Sequence, residues 1–151
     1  MARSKKPKQI IIPSNAKKPM QDIKLGSYYN HSVSFSFRKY DSNAPWATSS
    51  DGKPSVDHVF NNLRGVEGMQ WSDVVSASGG KSKGTNNHYI SSKELSKEAI
   101  RRMELIRLEE DELFSLRTQG DVRLWGIIDP ENGCFFVIWY DPKHKVYPVS
   151  R

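Results

Sequence analysis

Two arginines in the C-terminal third flank Gly120: Arg117 closes Leu113-Phe114-Ser115-Leu116-Arg117, and Arg123 opens Val122-Arg123-Leu124-Trp125. If the two runs are antiparallel strands turning at Gly120, the guanidinium groups lie opposite one another on one face. Paired cations persist where they meet an anion, either a carboxylate or a phosphate. Farther on, Trp139-Tyr140-Asp141-Pro142-Lys143-His144-Lys145-Val146-Tyr147-Pro148 sets an imidazole between two ammonium groups with a phenol close by. Metal-free RNA cleavage needs a base for the 2′-hydroxyl proton, cations for the charged phosphorane and a donor for the leaving oxygen. His144 or Tyr147 suits the first role, Arg117 with Arg123 the second, and Lys143 or Lys145 the third. The plainer alternative pairs the arginines with surface acids, makes Asp141-Pro142 an ordinary turn and leaves His144 on the surface.

Other chemistries find less support. His31, His58, His88 and His144 fall in four separate segments, and none has a second ligand at the short spacing that marks a metal site. Cys134 is the single cysteine, which excludes an intramolecular disulfide and a cysteine-based zinc site and fits a reducing compartment. It reads as a plain strand residue. The loop Ser78-Gly79-Gly80-Lys81-Ser82-Lys83-Gly84-Thr85-Asn86-Asn87 has its lysine and threonine in the wrong order for a phosphate cradle. His88 follows that loop and could reach a site built nearby, although a lone histidine more often carries structure.

The elements that must position these groups can be read in outline. Val33, Phe35 and Phe37 alternate with Ser34, Ser36 and Arg38, the period of a half-buried strand. Trp46 in the following loop reads as a packed plug. Val56, Val59, Phe60, Leu63 and Val66 share one face of a helix, and Trp71 to Val75 reads as a short helical turn. Ser96 caps a second long helix whose apolar stripe is Ala99, Ile100, Met103 and Ile106. Asp111 and Glu112 end that stretch. Three strands come next, at 113–118, 122–128 and 134–141, joined by hairpin-length turns. The last is apolar on both parities, as a strand covered on both faces must be.

Composition bounds the whole. A chain of 151 residues, 36% hydrophobic with four tryptophans, can fill one core. The net charge of +6 suggests nucleic acid until it is located: residues 1–20 hold six bases and no acid, so the remaining 17 bases match the 17 acids. A basic surface on the folded part must therefore come from segregation of charge. Residues 1–27, with three prolines among lysines, read as a disordered basic tail, and residues 28–151 as one domain. That tail serves either to attract phosphate or simply as a solvated extension. No run approaches the ~18–20 apolar residues of a membrane span or the apolar core of a signal peptide, so a cytoplasmic location is expected.

From Leu116 to Tyr147 the chain resembles the closing region of RelE/ParE-superfamily toxins. The resemblance rests on Leu116-Arg117, Gly120, Arg123-Leu124, a hairpin, an apolar strand and His144-Lys145-Val146-Tyr147. It implies a RelE-like α+β fold, with a small antiparallel or mixed four-stranded sheet and two main helices packed on one face. It also implies the toxin of a type II toxin-antitoxin system, a metal-independent endoribonuclease that cleaves mRNA on the ribosome with no cofactor and has an antitoxin protein as partner. Arg123 matches the strand arginine that contacts RNA, Lys145 and less closely His144 match the basic cluster, and Tyr147 matches the tyrosine of proton transfer. Those four are the expected catalytic residues, with Arg117, Lys143 and Arg38 as RNA contacts and neither a small-molecule cofactor nor a membrane as partner. Leu113 and Ser115 replace lysines of the strongly nucleolytic members, and Trp125-Gly126 replaces an aliphatic-Tyr pair. Relatives that keep the scaffold without cutting RNA supply the alternative, a non-catalytic binding module for nucleic acid or protein.

Overall fold

The computed structural model describes residues 28–48, 56–76, 87–119 and 122–148. The expected disorder of residues 1–27, most of the Gly/Ser/Lys loop and the turn residues Gly120 and Asp121 lie outside the described residues. The order is β1 (Ser34–Ser36), a 3-10 turn (Pro45–Thr48), α1 (Val56–Val66), α2 (Trp71–Ser76), β2 (His88–Ser91), α3 (Lys97–Leu105), β3 (Glu112–Gln119), β4 (Val122–Ile128) and β5 (Cys134–Asp141). A second 3-10 turn, Ser92–Glu94, links β2 to α3. The strands form one sheet in the order β1-β5-β4-β3-β2. β1 runs parallel to β5, and the other neighbours are antiparallel. The fold is α+β, a mixed five-stranded sheet with two main helices.

Two features correct the expectation from sequence. The sheet has five strands, not four, because β2 adds an edge beside β3, with Ile90 opposite Leu113 and His88 opposite Ser115. At four residues it is too short to show an alternation. The helices also do not share a face. Leu63 of α1 and Trp71 and Val74 of α2 bury with Phe114, Leu116, Leu124 and Phe135. Ala99 and Met103 of α3 instead bury with Leu113, Trp125 and Trp139. Successive side chains on a strand point to opposite sides, so the sheet is a middle layer between two cores. The two-sided apolarity of β5 demands this, since each large side chain left in water would forfeit ~1.5–3 kcal/mol.

Local chemistry sets the elements. Ser96 caps α3 by accepting from the Ala99 amide at 3.2 Å. The helix ends at Leu105, earlier than expected, where Arg107 takes a left-handed φ of 56°. In α1, Leu63 is buried, but Phe60, expected on the apolar stripe, is 60% exposed. Between Trp125 and Gly126 the register with β5 slips, passing from Trp139 to Val137. Ile138 is thus an extra residue, and it turns with Trp139 into the second core. Gly126 sits at this bulge because a Cβ there would run into the Phe136 carbonyl. Trp46 is the plug anticipated from sequence, 2% exposed and edge-on to Trp139 at 4.8 Å. The loop carrying it is pinned by Asp41, which accepts two bonds from Arg102 of α3, at 2.6 and 2.7 Å, and one from Trp139 Nε1 at 3.0 Å.

Candidate nucleic-acid interface

The strand pairing places Arg117 directly opposite Arg123, as anticipated, so their Cβ atoms are about 5 Å apart. On the other side of β4, Arg123 is opposite Asp141. Arg117, Arg123 and Asp141 therefore form one row across β3, β4 and β5. The row shares the parity of Leu113, Trp125 and Trp139, which places it on the α3 side of the sheet. The next row carries His88, Ser115, Trp125 and Trp139. His88 thus lies on the same face, one pair removed from Arg117.

Asp141 organises the chain beyond β5. It is fully buried, and its carboxylate accepts three N–H groups. Lys145 N donates to Oδ1 at 2.8 Å, Val146 N to Oδ2 at 2.9 Å, and Trp125 Nε1 to Oδ2 at 3.3 Å. These bonds fold 142–146 back against the sheet. Val146 is driven fully into the second core, and its carbonyl accepts from Ser96 N at 2.8 Å. The closed turn holds Lys143 exposed and His144 half-buried. His144 takes a φ of 58°, and its Nδ1 is buried with no hydrogen-bond partner among the described residues. A non-glycine residue in the left-handed region and an unpaired buried nitrogen each carry a cost of ~1–3 kcal/mol.

The predicted residues therefore separate into groups. Arg123 and the backbone of Lys145 adjoin Asp141, Arg117 lies one strand farther along the same row, and Lys143 and His144 are in the turn between Asp141 and Lys145. Tyr147 is half-buried and packs against the second core. Arg38 does not join them. It follows β1, where Ser36 is opposite Phe136, so β5 lies between it and β4, and Arg38 is exposed on that far flank. Its place in the alternation of the first strand said which side of that strand it takes, but not which strand would lie beside it.

Arg117, Arg123 and His144 are half-buried, and Lys143 is exposed. A recess of about 250 Å³ lies beside α3, lined in part by Ile100, Met103 and Leu108, and none of the predicted residues contributes to it. The phenols most perturbed by burial, Tyr28 and Tyr89, the latter pushed up to about 12, pack with the first core on the other face. Among the described residues no group of three or more His, Cys, Asp or Glu side chains could hold a metal ion, and no helix is long and apolar enough to cross a membrane.

Sequence reasoning passed over Asp141 as half of a turn dipeptide. The available signal was an acid placed directly after the apolar run Cys134 to Tyr140, where a charge is tolerated only with strong partners. Comparison with protein families, curated proteins and solved structures finds no match for this chain.

Proposed function

We infer that this chain is a toxin of the RelE/ParE type that cleaves mRNA at the ribosome, with an antitoxin protein as its partner. One observation carries the reading: Arg117 and Arg123 are register partners, and Asp141 ties the basic turn to the same row. Side chains whose Cβ atoms are about 5 Å apart can bring both guanidinium groups to the non-bridging oxygens of one phosphodiester, Arg123 exchanging its contact with the Val122 carbonyl, 3.1 Å, for the phosphate. In the proposed reaction the 2′-hydroxyl loses its proton to His144 or Tyr147 and its oxygen attacks the adjacent phosphorus. Arg117 and Arg123 offset the charge gathering on the phosphorane. The bond to the 5′-oxygen breaks as Lys143 or Lys145 delivers a proton to it, leaving a 2′,3′-cyclic phosphate and a 5′-hydroxyl. The left-handed backbone of His144, and its Nδ1 without a hydrogen-bond partner among the described residues, support a functional use of that residue. Induced expression tests the reading in cells: wild type should arrest growth and Arg123→Ala, at equal soluble level, should not. Equal arrest by the two would remove Arg123 from the mechanism.

The position of Tyr147 favours a second reading. Its ring packs against the second core beside buried Val146, a structural use of the phenol. On that reading the chain is a non-catalytic module that holds nucleic acid or protein through the same basic residues. It predicts RNA binding that weakens steeply with salt while the RNA stays intact.

A further inference from the structure

We propose that Asp141 is the positioning residue of this site, fixing the basic turn at a set distance from the strand arginines. The inference rests on the RNA-cleaving reading and deepens it.

A carboxylate with no solvent exposure has lost its hydration and persists only where protein donors occupy its oxygens well. Asp141 meets that demand with three N–H donors, two of them backbone amides from Lys145 and Val146. The acid thus closes a loop containing Pro142, Lys143 and His144, and it does so from the row of Arg117 and Arg123. Bonds to an ionised acceptor are shorter and about twice as strong as neutral ones. The turn is accordingly pinned at two backbone amides to the residue opposite Arg123. Val146 and Trp125 are locked to one oxygen, Oδ2, and Lys145 to the other, so the carboxylate orientation sets where the Lys145 and His144 side chains begin. A clamp on two paired strands and a proton-transfer group on a separate turn cooperate only if the distance between them is fixed.

The test is Asp141→Asn. One amide oxygen remains, while the NH2 group replaces the other oxygen and faces N–H donors, so the turn loses at least one anchor. With a short RNA oligonucleotide as substrate, kcat should fall about 100-fold, the scale of an ångström-sized misplacement. KM should stay within about twofold, because Arg117 and Arg123 still hold the phosphate. Trp125→Phe removes the longest of the three bonds and keeps both tail anchors, so its kcat should stay within about threefold of wild type. Wild-type kcat in folded Asp141→Asn, or a rise in KM at unchanged kcat, overturns the proposal. If Asp141→Asn does not fold, Asp141→Glu keeps the charge but moves it by a methylene, and the same fall in kcat is expected. Limited trypsin digestion reads the anchor without reference to activity. Cleavage after Lys143 and Lys145 should appear in Asp141→Asn and not in wild type, and equal resistance overturns the proposal. Wild type that leaves RNA intact defeats the nuclease reading, while the trypsin result still decides whether Asp141 holds the turn.

Discussion

Arg102→Ala probes the clamp on which the second core depends. Asp41 and Arg102 keep only 7% and 15% side-chain exposure and meet through a two-pronged contact at 2.6 and 2.7 Å. Removing one member of a fully buried pair costs about 3–5 kcal/mol. Here the guanidinium retains some water contact, and the Asp41 carboxylate keeps bonds from Trp139 Nε1 and the Asn43 amide. The expected loss is therefore smaller, about 2–3 kcal/mol, read as a lower urea midpoint at unchanged slope. At ~2–4 °C per kcal/mol for a chain of this size, Tm should fall by roughly 5–10 °C. Arg102→Lys keeps the charge but not the fork, so its loss should be intermediate. The loss should also depend on pH. The Arg102 hydrogen bonds hold Asp41 below the usual carboxylate range against the opposing effect of burial. A group with a depressed folded value stabilises fully above its unfolded value near ~3.9, and the contribution disappears as pH falls through the lower folded value. The gap between wild type and Arg102→Ala should be widest from about pH 5 to 7, on the order of 2–3 kcal/mol, and should shrink as pH falls below the unfolded value of ~3.9. A variant within ~0.5 kcal/mol of wild type near neutral pH would refute the assignment of the pair as a clamp.

Two further changes address the scaffold under the site. Gly126→Ala should lower stability by ~2–4 kcal/mol or leave the protein insoluble, because the added methyl meets the Phe136 carbonyl and the Phe135 ring at the β4–β5 bulge. Wild-type chemical denaturation would show that the bulge relaxes freely. Ser96→Ala should cost ~1 kcal/mol in the same assay through loss of the cap on the Ala99 amide, and a change under ~0.3 kcal/mol would mean the helix start is held by the Val146 carbonyl alone.

The parts of the fold that were legible are those whose determinants are local. The three-strand meander followed from alternation and turn residues, and the opposition of Arg117 and Arg123 followed from reading Gly120 as a turn residue between two antiparallel runs. The cap at Ser96 and the stripe through Ala99 and Met103 needed only the helical period. What escaped depends on distant partners. Periodicity marks Met103 and Leu63 as buried but does not say that one lies above the sheet and the other below. The two-sided apolarity of β5 requires a layer on each face of the sheet but does not assign either helix to one of them. β2 carries Ile90 into the core, but four residues starting with His88 give no strand period. Phe60 fits the stripe of α1 and still stays exposed. Among the candidate site residues, Arg117 and Arg123 share a row with Asp141, whose carboxylate binds the Lys145 amide, while Arg38 depends on a strand order that local pattern does not encode. Asp141 was hidden because its role is made by amides four and five residues ahead, a feature of the returning chain that composition does not carry.

If the proposed reading holds, Arg117, Arg123 and the turn held by Asp141 cut a phosphodiester. The decisive experiment incubates purified protein with end-labelled RNA, both free in EDTA and on translating ribosomes in their Mg2+ buffer, and resolves the products by fragment-end chemistry. Fragments ending in 2′,3′-cyclic phosphate from wild type, reduced at least about 100-fold by Arg123→Ala, are the predicted result. RNA that is bound yet remains full length in both settings would contradict it.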